Sequence, residues 1–249
     1  MPGWIERFAG IIALLMLPGL AESASRAQDP AQLNRAPATN IITDRLTSKD
    51  LRRWNAIKRI IFAEDIEGQP LHPTLRGLWD QIERSGHIIY IEMRGTGHAI
   101  SNTAGDFHIE RFDPEGVKHV AIIRLYPETI DRAYVGPTTA RSDGFIPFQG
   151  LGKEERYVEV LGHELAHAVH ILSDLARARV VKEVVQETNE LFLSYGKRYG
   201  YANIGSEMRR RIAIRDAILK ELEDAADAAE MLVWKEILWS RGARGGKKT

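Results

Sequence analysis

The chain has no cysteine among its 249 residues. Disulfide frameworks, thiolate nucleophiles, Cys-based zinc fingers and Cys lipidation are excluded, leaving His, Asp and Glu as the side chains able to hold a metal ion. Net charge is absent too, since 34 Lys and Arg balance 34 Asp and Glu. No global field draws the protein to nucleic acid or to an anionic membrane, so no nucleic-acid partner is expected. Long apolar runs are scarce. The run from Phe8 to Leu17 is broken by Pro18-Gly19, well short of the roughly 20 apolar residues of a spanning helix. With Arg7 before it and small residues after it up to Ala27, the segment has the order of a secretory signal, cleaved after Ala21 or Ala27. The expectation is an exported protein, periplasmic or secreted, with no stable membrane span after cleavage; an uncleaved anchor is the alternative.

What is present suits one core. Hydrophobic residues make up 44% of the chain, enough for a single substantial domain. Residues 1–27 read as the signal peptide and 28–45 as a flexible lead-in rich in Ala, Ser, Pro and Asn; a domain over 46–240 and a basic, disordered tail over 241–249 follow. Thr47 to Asp50 is a capping signal ahead of Leu51, Trp54, Ile57, Ile60 and Ile61 at helical spacing. A second helix is predicted from Pro73 to Arg84, and strands over His87 to Met93, near Phe107 to Phe112, and over Val117 to Leu125. Gly95-Thr96-Gly97 lacks the remaining residues of a phosphate loop and reads as a turn. Helical periodicity then governs Lys153 to Leu172, Asp174 to Tyr195 and Ser206 to Trp239. The fold class is α+β: a small mixed sheet followed by long helices.

The chemistry concentrates in His163-Glu164-Leu165-Ala166-His167. Residues four apart share one helix face, so both imidazoles can bind one ion while Glu164 reaches a water beside it. The flanking Tyr157, Val158, Val160, Leu161, Leu165, Ala168, Val169 and Leu172 predict a buried helix, in which two uncoordinated His would be unfavourable. A tetrahedral zinc needs one more protein ligand. His170 is unsuitable, lying about 10 Å from His163 along a straight helix. Glu187 and Glu190, 20 and 23 positions after His167, have no acid four residues later.

Glu223 has Asp227 one turn on, so Glu223 can ligate while Asp227 accepts a hydrogen bond from a ligating His. At about 100° per residue, Leu222, Ala225, Ala226, Ala229, Val233 and Ile237 form the apolar sector; Glu223 and Glu230 edge it, and Asp224 points away. Glu230, followed by Trp234 rather than an acid, remains a competitor, as do Glu187 and Glu190. For an oxyanion donor the residues offer His98, His108, His119, Tyr195, Tyr199 and Tyr201 without choosing among them.

With His163-Glu164-Leu165-Ala166-His167 and Glu223-x-x-Ala226-Asp227 in hand, the chain resembles the zincin metallopeptidases whose third ligand is Glu, the gluzincin type. Thermolysin-like enzymes and the CAAX-processing type of peptidase share this motif pair. The resemblance covers about Tyr90 to Trp239 in outline. The interval from His167 to Glu223 exceeds thermolysin-like spacing, and the membrane helices of the CAAX-processing type are absent. The resemblance implies a zincin-like domain with one Zn2+ on His163, His167 and Glu223, and Glu164 as catalytic base. The expected activity is hydrolysis of a peptide or protein substrate; the rivals are an amide hydrolase of the cell envelope and a non-catalytic zincin-fold binding protein. The strand Val117 to Leu125 is expected at the cleft edge, where a substrate backbone would add to it.

Overall fold

Alternation along the strands decides which side chains meet the helices and which face away. The computed structural model describes residues 39–95, 104–132, 146–199 and 205–245, all within the compact unit Thr39–Thr249. The expected signal and most of the lead-in, Gly97, His98, Tyr201, the side chain of Tyr199 and the last four residues of the tail lie outside the described residues. The elements are β1 (Ile41–Ile42), α1 (Ser48–Ile61), α2 (Pro73–Ser85), β2 (Ile88–Met93), β3 (Gly105–Arg111), β4 (Val120–Leu125), α3 (Pro127–Arg132), α4 (Lys153–Leu172), α5 (Leu175–Val180), a π-helical stretch Val181–Gln186, α6 (Glu187–Tyr199) and α7 (Ser206–Gly245). The fold is α+β, with a four-stranded sheet and long helices. Among the described residues no helix is long and apolar enough to cross a membrane.

The sheet order is β1-β2-β4-β3; β1 and β4 both run parallel to β2, and β3 is antiparallel to β4. Ile89 and Ile91 of β2, Ile109 of β3, and Ala121, Ile123 and Leu125 of β4 join the core with Tyr157, Val158, Leu161 and Leu165 of α4. Trp54, Ile57 and Ile61 of α1 and Leu75 and Ile82 of α2 complete it, each large side chain contributing about 1.5–3 kcal/mol by burial. Between them stand Tyr90 and Glu92 of β2, Asp106 and His108 of β3, and Ile122 and Arg124 of β4. Glu92 is buried among Arg45, Arg94 and Arg124, which bind it at 2.9, 2.8 and 3.3 Å. Burial opposes its charge, yet the three guanidiniums hold its carboxyl below the usual range.

The helices follow their sequence signals. Thr47 caps α1 by accepting the Asp50 amide, α2 begins at Pro73 and stops at the left-handed Gly86, and α4 has the bounds its periodicity predicts. Four expectations change. The lead-in ends early, because Ile41–Ile42 pairs with Ile89 and Tyr90 and buries Ile41. Strand β4 starts at Val120 and lies between β2 and β3. Both its edges are therefore taken, and among the described residues β3 is the strand at that side of the sheet with no further strand paired to it. The helix after Asp174 passes through a π-helical stretch and reaches Tyr199. Helix α7 continues through much of the expected tail, with Arg241 donating to Glu155 and to the Gly150 carbonyl.

Candidate metal centre

Helix α4 carries His163, Glu164 and His167, and α7 crosses it so closely that a Cβ on Gly162 would stand 3.0 Å from Val233 Cγ2. A glycine beside the first histidine lets the second helix bring its acids within reach. His163 Nε2 and His167 Nε2 are 3.0 Å apart. Glu223 of α7 places Oε2 3.2 Å from His163 Nε2 and Oε1 3.6 Å from His167 Nε2. Metal–ligand bonds of about 2.0–2.1 Å in a tetrahedron put neighbouring ligand atoms roughly 3.3 Å apart. Two imidazole nitrogens and one carboxylate oxygen are therefore spaced to share an ion.

The other nitrogen of His163 faces a second acidic pair. Nδ1 is 3.3 Å from Glu230 Oε2 and 3.6 Å from Asp227 Oδ1. A neutral imidazole has one lone-pair nitrogen, so presenting Nε2 to an ion leaves Nδ1–H to donate outward, and Glu230 is the nearer acceptor. The groupings His163/His167/Glu223 and His163/Asp227/Glu230 are on this argument one site and the acids that orient its histidine. Electrostatics agree. Burial works against a charged His163, but the Glu223 and Glu230 carboxylates outweigh it and raise its pKa to about 10. Burial likewise opposes charge on Glu223, while both histidines drive its carboxyl far below the ordinary value. The cluster attracts positive charge.

Glu164 is 4% exposed, and its Oε2 has no hydrogen-bond partner among the described residues. Burial, aided by Asp106, Glu223 and Glu230 and opposed by His163, pushes its pKa up to about 8. Its Oε1 lies 2.8 Å from where a Cβ on Gly105 would stand, so only glycine lets β3 pass this close. An orphaned carboxylate oxygen on a residue that lines the same cleft as both imidazoles is an unmet demand for a proton donor or a cation. The whole constellation opens on a cleft of about 710 Å³ that includes Gly105, Phe107, His108, Gln186, Glu190 and Glu230.

The residues expected from the sequence are unevenly placed. His163, Glu164, His167 and Glu223 come together; Asp227 is near His163, though beyond hydrogen-bond distance. Glu230 lies on the Nδ1 side of His163, 93% withdrawn from solvent along its side chain. Glu190 reaches the cleft wall and Glu187 does not, and among the described residues neither joins a convergent ligand group. His108 lines the cleft with its pKa lowered, first by burial and then by Arg124 and Lys182. His119 is buried elsewhere, against His87. Gln186, an uncharged residue on no motif, was missed; its position on the π-helical stretch is the only signal it offers.

No protein-family model matches the chain, and neither a curated protein sequence nor a solved structure is significantly similar to it.

Proposed function

We propose that the chain is an exported zinc metallopeptidase of the gluzincin type, hydrolysing peptide bonds with Glu164 as base. The observation that carries this reading is the convergence of His163 Nε2, His167 Nε2 and the Glu223 carboxylate at 3.0–3.6 Å, with Glu164, whose Oε2 has no partner among the described residues, lining the same cleft. Two histidines, one carboxylate and an open fourth position suit zinc. When bound, zinc supplies Lewis acidity that makes water a nucleophile near neutral pH, and positive charge that favours the Glu164 carboxylate.

The chain's own residues do the rest. Glu164 takes a proton from the attacking water and returns it to the leaving amine, which breaks the carbon–nitrogen bond. Glu230 holds His163 in the tautomer that presents Nε2. A substrate with an extended backbone is supported by the open edge of β3 along the cleft. Export rests on the Arg7, Phe8 to Leu17 and Pro18-Gly19 pattern.

The test is a mixed peptide library incubated with wild type and Glu164→Ala at equal zinc occupancy. Cleavage by wild type, reduced about 10²–10⁴-fold in the variant, is expected. Equal cleavage by both removes Glu164 from its role. Hydrolysis confined to cell-envelope amides favours the amide hydrolase, and no hydrolysis of either class favours a binding protein.

A further inference from the structure

Strand β3 is the edge of the sheet, and its hydrogen bonding divides by parity. Ala104 accepts the Tyr126 amide at 2.9 Å, so the antiparallel register turns the backbone groups of Asp106 and His108 toward β4 and those of Gly105, Phe107 and Ile109 outward. At Ile109 the outward pair is already engaged. In the amide orientation that satisfies its neighbours, Gln186 donates Nε2–H to the Ile109 carbonyl at 3.3 Å and accepts the Ile109 amide at 3.0 Å, while His108 Nδ1 also donates to its oxygen. Lys182 Nζ adds a second donor to the same carbonyl at 3.3 Å. Gln186 thus imitates one peptide unit of an added strand, buried and on the cleft wall. Gly105, at the opposite end of the open edge, abuts Glu164.

Resting on the peptidase reading above, we propose that Gln186 is a specificity-determining residue that closes the substrate groove at Ile109. Among the described residues, only the outward backbone groups of Gly105 and Phe107 are left for a substrate backbone. An added strand running antiparallel, the more stable pairing, enters from the Ile109 end, so the closed end limits residues on the N-terminal side of the scissile bond. From Gly105 to Ile109 the strand rises about 14 Å, room for roughly four substrate residues. Longer N-terminal extensions must leave the groove or displace the amide. The preferred substrates are therefore peptides cut close to their N-terminus.

The experiment uses the full zinc-loaded chain and acetylated peptides with a constant C-terminal part and between two and eight residues before the scissile bond. Wild-type kcat/KM is expected to fall about tenfold once the N-terminal part exceeds roughly four residues, and Gln186→Ala to restore most of that loss. Gln186→Asn, too short to reach Ile109, should behave like Gln186→Ala. A second arm measures Kd for the same series by fluorescence anisotropy on Glu164→Gln, alone and combined with Gln186→Ala. It reads the groove without turnover, so an inactive protein that still shows a length limit released by Gln186→Ala supports the proposal while overturning the peptidase reading. A length profile that is flat in wild type, or unchanged by both Gln186 variants, or an absence of peptide binding altogether, overturns it.

Discussion

Helix α4 meets two pairs of histidines that face opposite chemistry, all buried except the half-buried His163. His163 and His167 lie midway along it against Glu223, Asp227 and Glu230, in a cleft. At its C-terminal end His87 donates to the Leu172 carbonyl at 3.0 Å and accepts the His119 amide at 3.2 Å, and the His87 and His119 rings lie 4.9 Å apart. His119 accepts the Asp113 amide and stacks on Phe112. The first pair meets carboxylates, and His163 is pushed up to about 10. The second meets backbone and ring faces, and burial lowers both pKa values. Burial alone is thus no mark of a metal site; convergent carboxylates are what separate the proposed ligand pair from the other.

The largest effect that would sharpen this contrast is on zinc affinity. Glu223→Gln is expected to weaken zinc binding by more than about 100-fold in competition with a chelator, beyond what loss of an orienting partner does. Glu230→Gln, which leaves the three proposed ligand atoms in place, should weaken it by about 10–100-fold. At the other pair the readout changes. His87→Ala strands the Leu172 carbonyl and the His119 amide, so urea unfolding should show a loss of about 1–3 kcal/mol, with zinc stoichiometry unaltered. Equal zinc loss from His87→Ala and Glu223→Gln would break the comparison.

The smallest effect is a pair of opposite pH dependences in metal-free protein. For His87 and His119 the folded pKa lies below the ordinary 6.5, so their stability contribution is complete above pH 6.5 and is lost as pH falls from there toward the depressed folded value. His163, raised to about 10, contributes fully below pH 6.5 and loses that contribution as pH rises through about 10. Urea midpoints measured from pH 5 to 10.5 should show both limbs, with His163→Gln removing the alkaline one and His119→Gln reducing the acid one.

The site was legible in sequence where its geometry is local. Helical spacing puts His163 and His167 on one face with Glu164 between them, and Glu223 stands out from Glu230 at the same sector edge only by Asp227 one turn on. Glu230 was not assignable to His163, because its reach depends on where α7 crosses α4, which the Gly162–Val233 contact sets. Sheet order was illegible for the same reason. Composition marks β4 as a strand, but only long-range pairing inserts it between β2 and β3 and passes the free edge to β3. Strand β1, two residues long, and α3, six residues long, are too short to carry a period. Gln186 acts through its amide rather than its charge or spacing, and no pattern rule detects that.

Everything proposed for this cleft depends on one zinc ion held by His163, His167 and Glu223. Anomalous diffraction at the zinc edge from a crystal of zinc-loaded protein tests it most directly. A single peak is expected within about 2.0–2.2 Å of His163 Nε2, His167 Nε2 and a Glu223 carboxylate oxygen, with His163 Nδ1 turned to Glu230. A peak on the Nδ1 side between Asp227 and Glu230, or no peak at the helix pair in protein that binds zinc elsewhere, would contradict it.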